Sequence, residues 1–152
     1  MDDTDDTGLD FDTLAQDVGV QVNLTRRALW MKPSELTLFR DGRHPSGLIS
    51  VFIMIGANPG VSQKKLADAL FLDPGALGDI VDLLETKHLV ERRRDPADRR
   101  RMSLFATPAG KKEITRLKAR TGEKNERLTA AFTPEEVELL IEFLQRLRNQ
   151  AR

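Results

Sequence analysis

Apolar residues are spaced unevenly along this chain of 152 residues, and their spacing predicts a series of helices interrupted once by two strands. From Leu9 the positions Leu14, Val18, Val22 and Leu29 follow a helical pattern that ends near Trp30–Met31, ahead of Pro33. Gly19 weakens its middle. Residues 32–47 (KPSELTLFRDGRHPSG) are polar, contain Pro and Gly, and carry no clear period. Leu48 to Ile55 is almost continuously apolar, long enough for a buried helix, and stops at Asn58-Pro59-Gly60. Ser62 then stands as an N-cap before QKKLADAL, with Leu66 and Leu70 four residues apart. Asp73 caps the next helix, and Pro74 takes its first position, where a missing N–H costs nothing. Leu77, Ile80, Val81 and Leu84 share one face of that helix, which runs to about Lys87.

The period then changes. Leu89–Arg93 and Arg101–Ala106 are short strand-like runs separated by residues of turn composition. Thr107-Pro108 repeats the cap-plus-proline signal and opens a long charged helix to about Leu128. Thr133-Pro134-Glu135-Glu136 is a capping box ahead of a last helix, whose Val137, Leu140, Phe143, Leu144 and Leu147 form a wide apolar stripe. The expected fold is mainly α with a small β-hairpin: two consecutive short helices and a basic hairpin, a winged helix-turn-helix. Residues 46–110 form the expected lobe, residues 9–32 and 108–150 the expected dimerisation helices, and residues 1–8 a disordered acidic tail. The first and last helices have no obvious partner within the lobe, and packing across a twofold would bury both stripes.

Composition narrows the function. Cysteine is absent, which removes disulfides, thiolate zinc sites and thiol nucleophiles. His44 and His88 are the two histidines, too few for a metal site or a triad. No paired carboxylates lie in an apolar setting and no glycine-rich phosphate loop is present, so neither an enzyme nor a cofactor is expected. No apolar stretch reaches the roughly 18–20 residues of a membrane span, and the acidic N-terminus is unlike a signal peptide, so a cytoplasmic protein without membrane contact is expected. Net charge is zero, from 24 basic and 24 acidic residues. The distribution matters more: between residues 87 and 118 eleven Lys/Arg face four Asp/Glu, the local field that suits a polyanion.

Three segments carry a family resemblance: NPGVSQKKLADAL, LDPGALGDIVDLLETKHLVERR and DPADRRRMSLFATPAG. With them the chain resembles the MarR family of regulators, closely over residues 48–110 and more loosely over 9–150. The resemblance implies that the hairpin is a wing and that the second short helix enters the major groove of double-stranded DNA. It also implies that Arg100, two places after Asp98, is the minor-groove residue. An Asp98 salt bridge would pin that side chain and reduce the entropy lost on binding. Arg92, Arg93, Arg94, Arg99 and Arg101 would divide between phosphates and the hairpin's other face. Lys64 and Lys65 suit phosphate contacts or plain solvation equally. Ser62 and Gln63 could add contacts through the helix N-terminus.

The second helix departs from the family. Its outward residues are Asp73, Pro74, Gly75, Ala76, Gly78 and Asp79, where relatives commonly place hydroxyls and an arginine. None is a donor of the Arg, Asn or Gln kind that reads base edges, and Asp79 repels phosphate unless it accepts from a cytosine amino group. One explanation is specificity from the wing, thymine-methyl contact at Ala76, close backbone approach at the glycines and DNA shape. The other is weak DNA binding with output through a protein partner, as an interaction or anti-repressor module that kept the fold.

The resemblance further implies a small effector, aromatic or anionic, that shifts the spacing of two recognition helices in a homodimer. Trp30, Phe39, Arg40, Arg43, His44 and Phe52 are candidates, because a cation beside aromatic rings suits an aromatic carboxylate. Trp30 and Phe52 fit equally well as core, and His44 as a loop residue.

Overall fold

The computed structural model describes residues 11–30, 45–94 and 102–151, and the chain divides into two units, 1–44 and 45–152. The expected acidic tail lies outside the described residues.

In the first unit the single helix expected from Leu9 is broken. A 3-10 turn spans Asp12–Gln16, and α1 spans Val18–Trp30. Asp17 causes the break: its carboxylate accepts the Val20 N–H at 2.8 Å and its carbonyl accepts the Gln21 N–H at 2.9 Å, so it caps α1. A short carboxylate competing for backbone N–H groups favours a cap over continuation. Val18, Val22 and Leu29 keep exposed side chains.

The second unit begins with α2 (Leu48–Ala57), followed by β1 (Val61–Ser62), α3 (Gln63–Leu70) and α4 (Pro74–Thr86). The hairpin β2 (Val90–Arg94) and β3 (Met102–Ala106) follows, then α5 (Pro108–Leu128) and α6 (Pro134–Gln150). The sheet is antiparallel in the order β1-β3-β2, with Val61 opposite Leu104 and Arg92 also opposite Leu104 across β3's other edge. β1 was not foreseen. Two residues are too few to show alternation, and Gly60, at φ 85°, sets the turn that lets its own N–H reach the Leu104 carbonyl at 2.9 Å.

All four expected caps form. Ser62 Oγ accepts from Lys65 N–H at 3.3 Å, and Asp73 accepts from Gly75 and Ala76 at 2.8 and 3.2 Å. Thr107 accepts from Gly110 at 3.0 Å, and Thr133 and Glu136 complete a reciprocal capping box at 2.8 and 3.2 Å. With its ends fixed, the lobe buries one apolar core: Leu48, Val51, Phe52 and Ile55 of α2 against Leu66, Leu77, Ile80, Leu84, Leu104 and Leu117.

The junction between α4 and β2 is closely packed, with the Gly110 backbone against the Leu89 carbonyl. His88 sits at φ 54°, the left-handed region, and follows the helix end. The Leu89 N–H closes back on the Leu84 carbonyl at 2.9 Å, and the His88 N–H on Glu85 at 2.8 Å. The start of α5 docks here, through Thr107 Oγ1 donating to the His88 carbonyl at 2.8 Å and Thr107 N–H donating to the Leu89 carbonyl at 3.1 Å. Both bonds to residues 88 and 89 use backbone carbonyls, so the His88 side chain is dispensable to them. His88→Gly is therefore expected to raise unfolding stability by about 0.5–1 kcal/mol, by removing the left-handed penalty of a Cβ. Urea denaturation reads this directly, and a loss of stability would show that the imidazole has a packing role.

Candidate nucleic-acid interface

The first turns of α3 and α4 lie close together across an open cleft of about 370 Å³, lined by Gln63, Lys64, Ala67, Asp68, Pro74 and Leu77. Lys64 and Lys65 are exposed, while Ser62 is half-buried with its hydroxyl engaged as a cap. On α4 the buried residues Leu77, Ile80, Val81 and Leu84 orient the helix, and the opposite face follows from their spacing. Pro74, Gly75, Ala76 and Asp79 are exposed and Gly78 is half-exposed.

Gly78 has an informative neighbourhood. A Cβ built there meets nothing within 4 Å, so no packing inside the chain requires glycine in the middle of this helix. The contrast is Gly110, where a Cβ would stand 2.0 Å from the Leu89 carbonyl oxygen.

Of the two roles left open for Arg92, phosphate contact and the hairpin's other face, its side chain takes the face turned to α4. One guanidinium nitrogen lies 2.6 Å from Asp82, another pairs with Glu85, and the Arg92 backbone N–H donates to Glu85 at 2.9 Å. Strand parity could have found this, because Arg92 shares its face with the buried Val90. Asp82 and Glu85 were the partners missed, and their three-residue spacing on α4 is the signal that was available.

Arg93, on the other strand face, lies over the Phe105 ring at 4.7 Å and pairs with Glu91. Arg94 is exposed at the end of β2, opposite Met102. Asp98, Arg99, Arg100 and Arg101 lie outside the described residues.

Among the effector candidates, the side chain of Phe52 alone belongs to the described residues. Phe52 has no exposed surface and belongs to the core, where it packs on α2's inner face; this corrects its assignment to a ligand pocket. Phe39, Arg40, Arg43, His44 and the Trp30 side chain lie outside the described residues.

One stripe of α6 is apolar and exposed. Leu140, Phe143, Leu144 and Leu147 of α6 are between 41% and 54% exposed. No described helix is long and apolar enough to cross a membrane.

Comparison with known proteins places these features. The sequence model described as "MarR family" matches residues 49–101. A protein named for transcriptional regulation of the hcr operon in Thauera aromatica is 30% identical over 138 residues, covering 91% of this chain and 82% of that one. The solved structure of the transcriptional repressor CouR bound to a 23-mer DNA duplex superposes with a TM-score of 0.79, at 23% identity over 92% of this chain and 98% of that one. PcaV of Streptomyces coelicolor, solved with its natural ligand, gives a TM-score of 0.77 at 24% identity over 91% and 96%. Both structures share the winged-helix fold with this chain.

Proposed function

Because the chain belongs to the MarR family of transcriptional regulators, we propose that it is a repressor that binds a palindromic operator as a homodimer and leaves it when a small effector binds. The observation that carries this reading is the composition of one surface. Exposed Lys64 and Lys65 and the hairpin arginines Arg93 and Arg94 flank a helix whose outward first turns carry no bulky side chain. Cations at the flanks neutralise phosphates, and a bare helix between them can lie deep in a groove. In this reading Ser62, Gln63, Pro74, Gly75, Ala76 and Asp79 line the contact, and Arg99 and Arg100, oriented by Asp98, extend it into the minor groove.

Residues 46–110 serve as the DNA-binding lobe, and residues 9–32 and 108–150 as the dimerisation helices. The exposed apolar stripe of α6 supports this division, because a second copy would cover it. A small effector is supported by the relative of the same fold solved with its natural ligand, and an aromatic or anionic one suits the Arg and His of residues 40–44.

Fragments selected from the source genome supply the DNA for the test. Binding should fall steeply as salt rises from low to physiological concentration, through counterion release. Arg100→Ala should weaken it by about tenfold or more, and Lys118→Ala by less than about twofold. Equal effects would remove the wing assignment, and a flat salt response would remove the operator. Asp79 favours a second reading, a fold-retaining interaction module with weak DNA binding. Recovery of a stable protein partner and no selective DNA fragment would establish that alternative.

A further inference from the structure

We propose that Arg92 is a positioning residue: through Asp82 and Glu85 it locks the base of the β2–β3 hairpin to the C-terminal half of α4. It thereby fixes the angle between the helix that would enter the major groove and the wing that would reach the minor groove. This inference rests on the DNA-binding reading above and moves Arg92 from phosphate contact to clamp.

Three bonds from one residue support it. The guanidinium serves two carboxylates one helical turn apart, and the backbone N–H serves the second of them again. A planar fork holds two acceptors in fixed geometry, which a lysine ammonium does not. The Arg92 side chain is only 21% exposed, so water and salt screen the pair less than they would a surface ion pair. β2 is an edge strand of the sheet, and the Arg92 N–H is satisfied by α4 rather than by another strand. The hairpin is thus joined to α4 by main chain and side chain together.

Charge leads to the same assignment. Asp79, Asp82 and Glu85 follow one another at three-residue spacing along α4, beside the surface that would meet phosphates. Arg92 offsets the last two. An arginine shared between two carboxylates has little positive field left for DNA, but its loss would release two acids against the polyanion. Every effect of Arg92 on binding therefore passes through Asp82 and Glu85.

That dependence gives the test. Dissociation constants for the genome-selected fragment are measured for the parent, for Arg92→Gln, for the pair Asp82→Asn with Glu85→Gln, and for all three together. Arg92→Gln alone should weaken binding by about tenfold, and by less than about twofold once both carboxylates are neutral. Arg92→Lys, which keeps the charge but not the fork, should fall between parent and Arg92→Gln and serves if Arg92→Gln folds poorly. Hydrogen exchange without DNA should accelerate at the Arg92 amide and along residues 90–94 and 102–106 in Arg92→Gln. An equal loss of affinity in both backgrounds would make Arg92 a phosphate contact and overturn the proposal. Unchanged exchange would overturn it as well. If the parent itself selects no fragment, the operator reading fails separately, and exchange alone decides whether the clamp exists.

Discussion

Gly110→Ala is expected to destabilise the winged lobe by about 3 kcal/mol or more, the largest effect of any single methyl group considered for this chain. The added carbon would lie 2.0 Å from the Leu89 carbonyl oxygen and 2.9 Å from its carbonyl carbon. Both are backbone atoms, so no rotamer change relieves the clash. The Leu89 carbonyl cannot retreat freely either, because it accepts the Thr107 N–H at 3.1 Å, and the Leu89 N–H is committed to Leu84 at 2.9 Å. Relief must come from lifting the first turn of α5 off the α4–β2 junction. That move stretches the Thr107 bonds to residues 88 and 89 and loosens Ile114 and Leu117, both buried. Thermal unfolding should show a midpoint lower by about 10 °C. A drop of less than about 1 kcal/mol would mean that α5 can start from a shifted position without loss.

Gly78→Ala should act in two opposite directions. In the free protein the new methyl enters open space, and an exposed interior helical position gains about 0.5–1 kcal/mol when glycine becomes alanine. On DNA the same methyl would stand between the helix backbone and the groove floor. There affinity should fall by roughly tenfold, since a glycine permits an approach that a Cβ prevents. Denaturant unfolding and titration of a labelled operator fragment measure the two halves independently. A variant that is more stable and binds equally well would place the contact elsewhere on the lobe. A variant that is less stable would show that the glycine serves the fold itself.

Both predictions concern glycines, and the sequence treats them very differently from the structure. Gly110 belongs to the run Thr107-Pro108-Ala109-Gly110, so its importance was visible as part of a motif, but its reason was not: the carbonyl it meets comes from a residue 21 positions earlier. Gly78 stood out in the sequence as an outward glycine where a backbone could approach DNA closely, and the coordinates add that its neighbourhood within the chain is empty. Four helix starts were legible, because Ser62, Asp73, Thr107 and Thr133 each act on backbone N–H groups within three residues. Asp17 works by the same local chemistry, yet it was passed over because the apolar period continued across it.

Long-range features were the ones lost. β1 exists only as an edge for β3, and two residues cannot announce a partner more than 40 positions away. Arg92 read as one basic residue among many, since composition counts charges and ignores which face of a strand they occupy. Phe52 illustrates the reverse case. Aromatic and buried, it fits a ligand pocket or a core equally well by residue type, and its complete burial among α2's apolar neighbours decides for the core.

The docking of α5 has a mechanical consequence. At 1.5 Å per residue its 21 residues make a rod about 31 Å long. That rod is anchored over its first half, where Gly110 admits it against Leu89, Thr107 bonds it to the carbonyls of residues 88 and 89, and Ile114 and Leu117 are buried. The anchor begins at the meeting point of α4 and the hairpin, so the exposed second half of the rod is the long arm of a lever whose short arm is the surface that would face DNA. A swing of roughly 10° in the part beyond Leu117 displaces the far end by about 3 Å. Read in the other direction, the geometry gears down: coarse movement at the distant end of the rod becomes a finer adjustment where the lobe would meet its target.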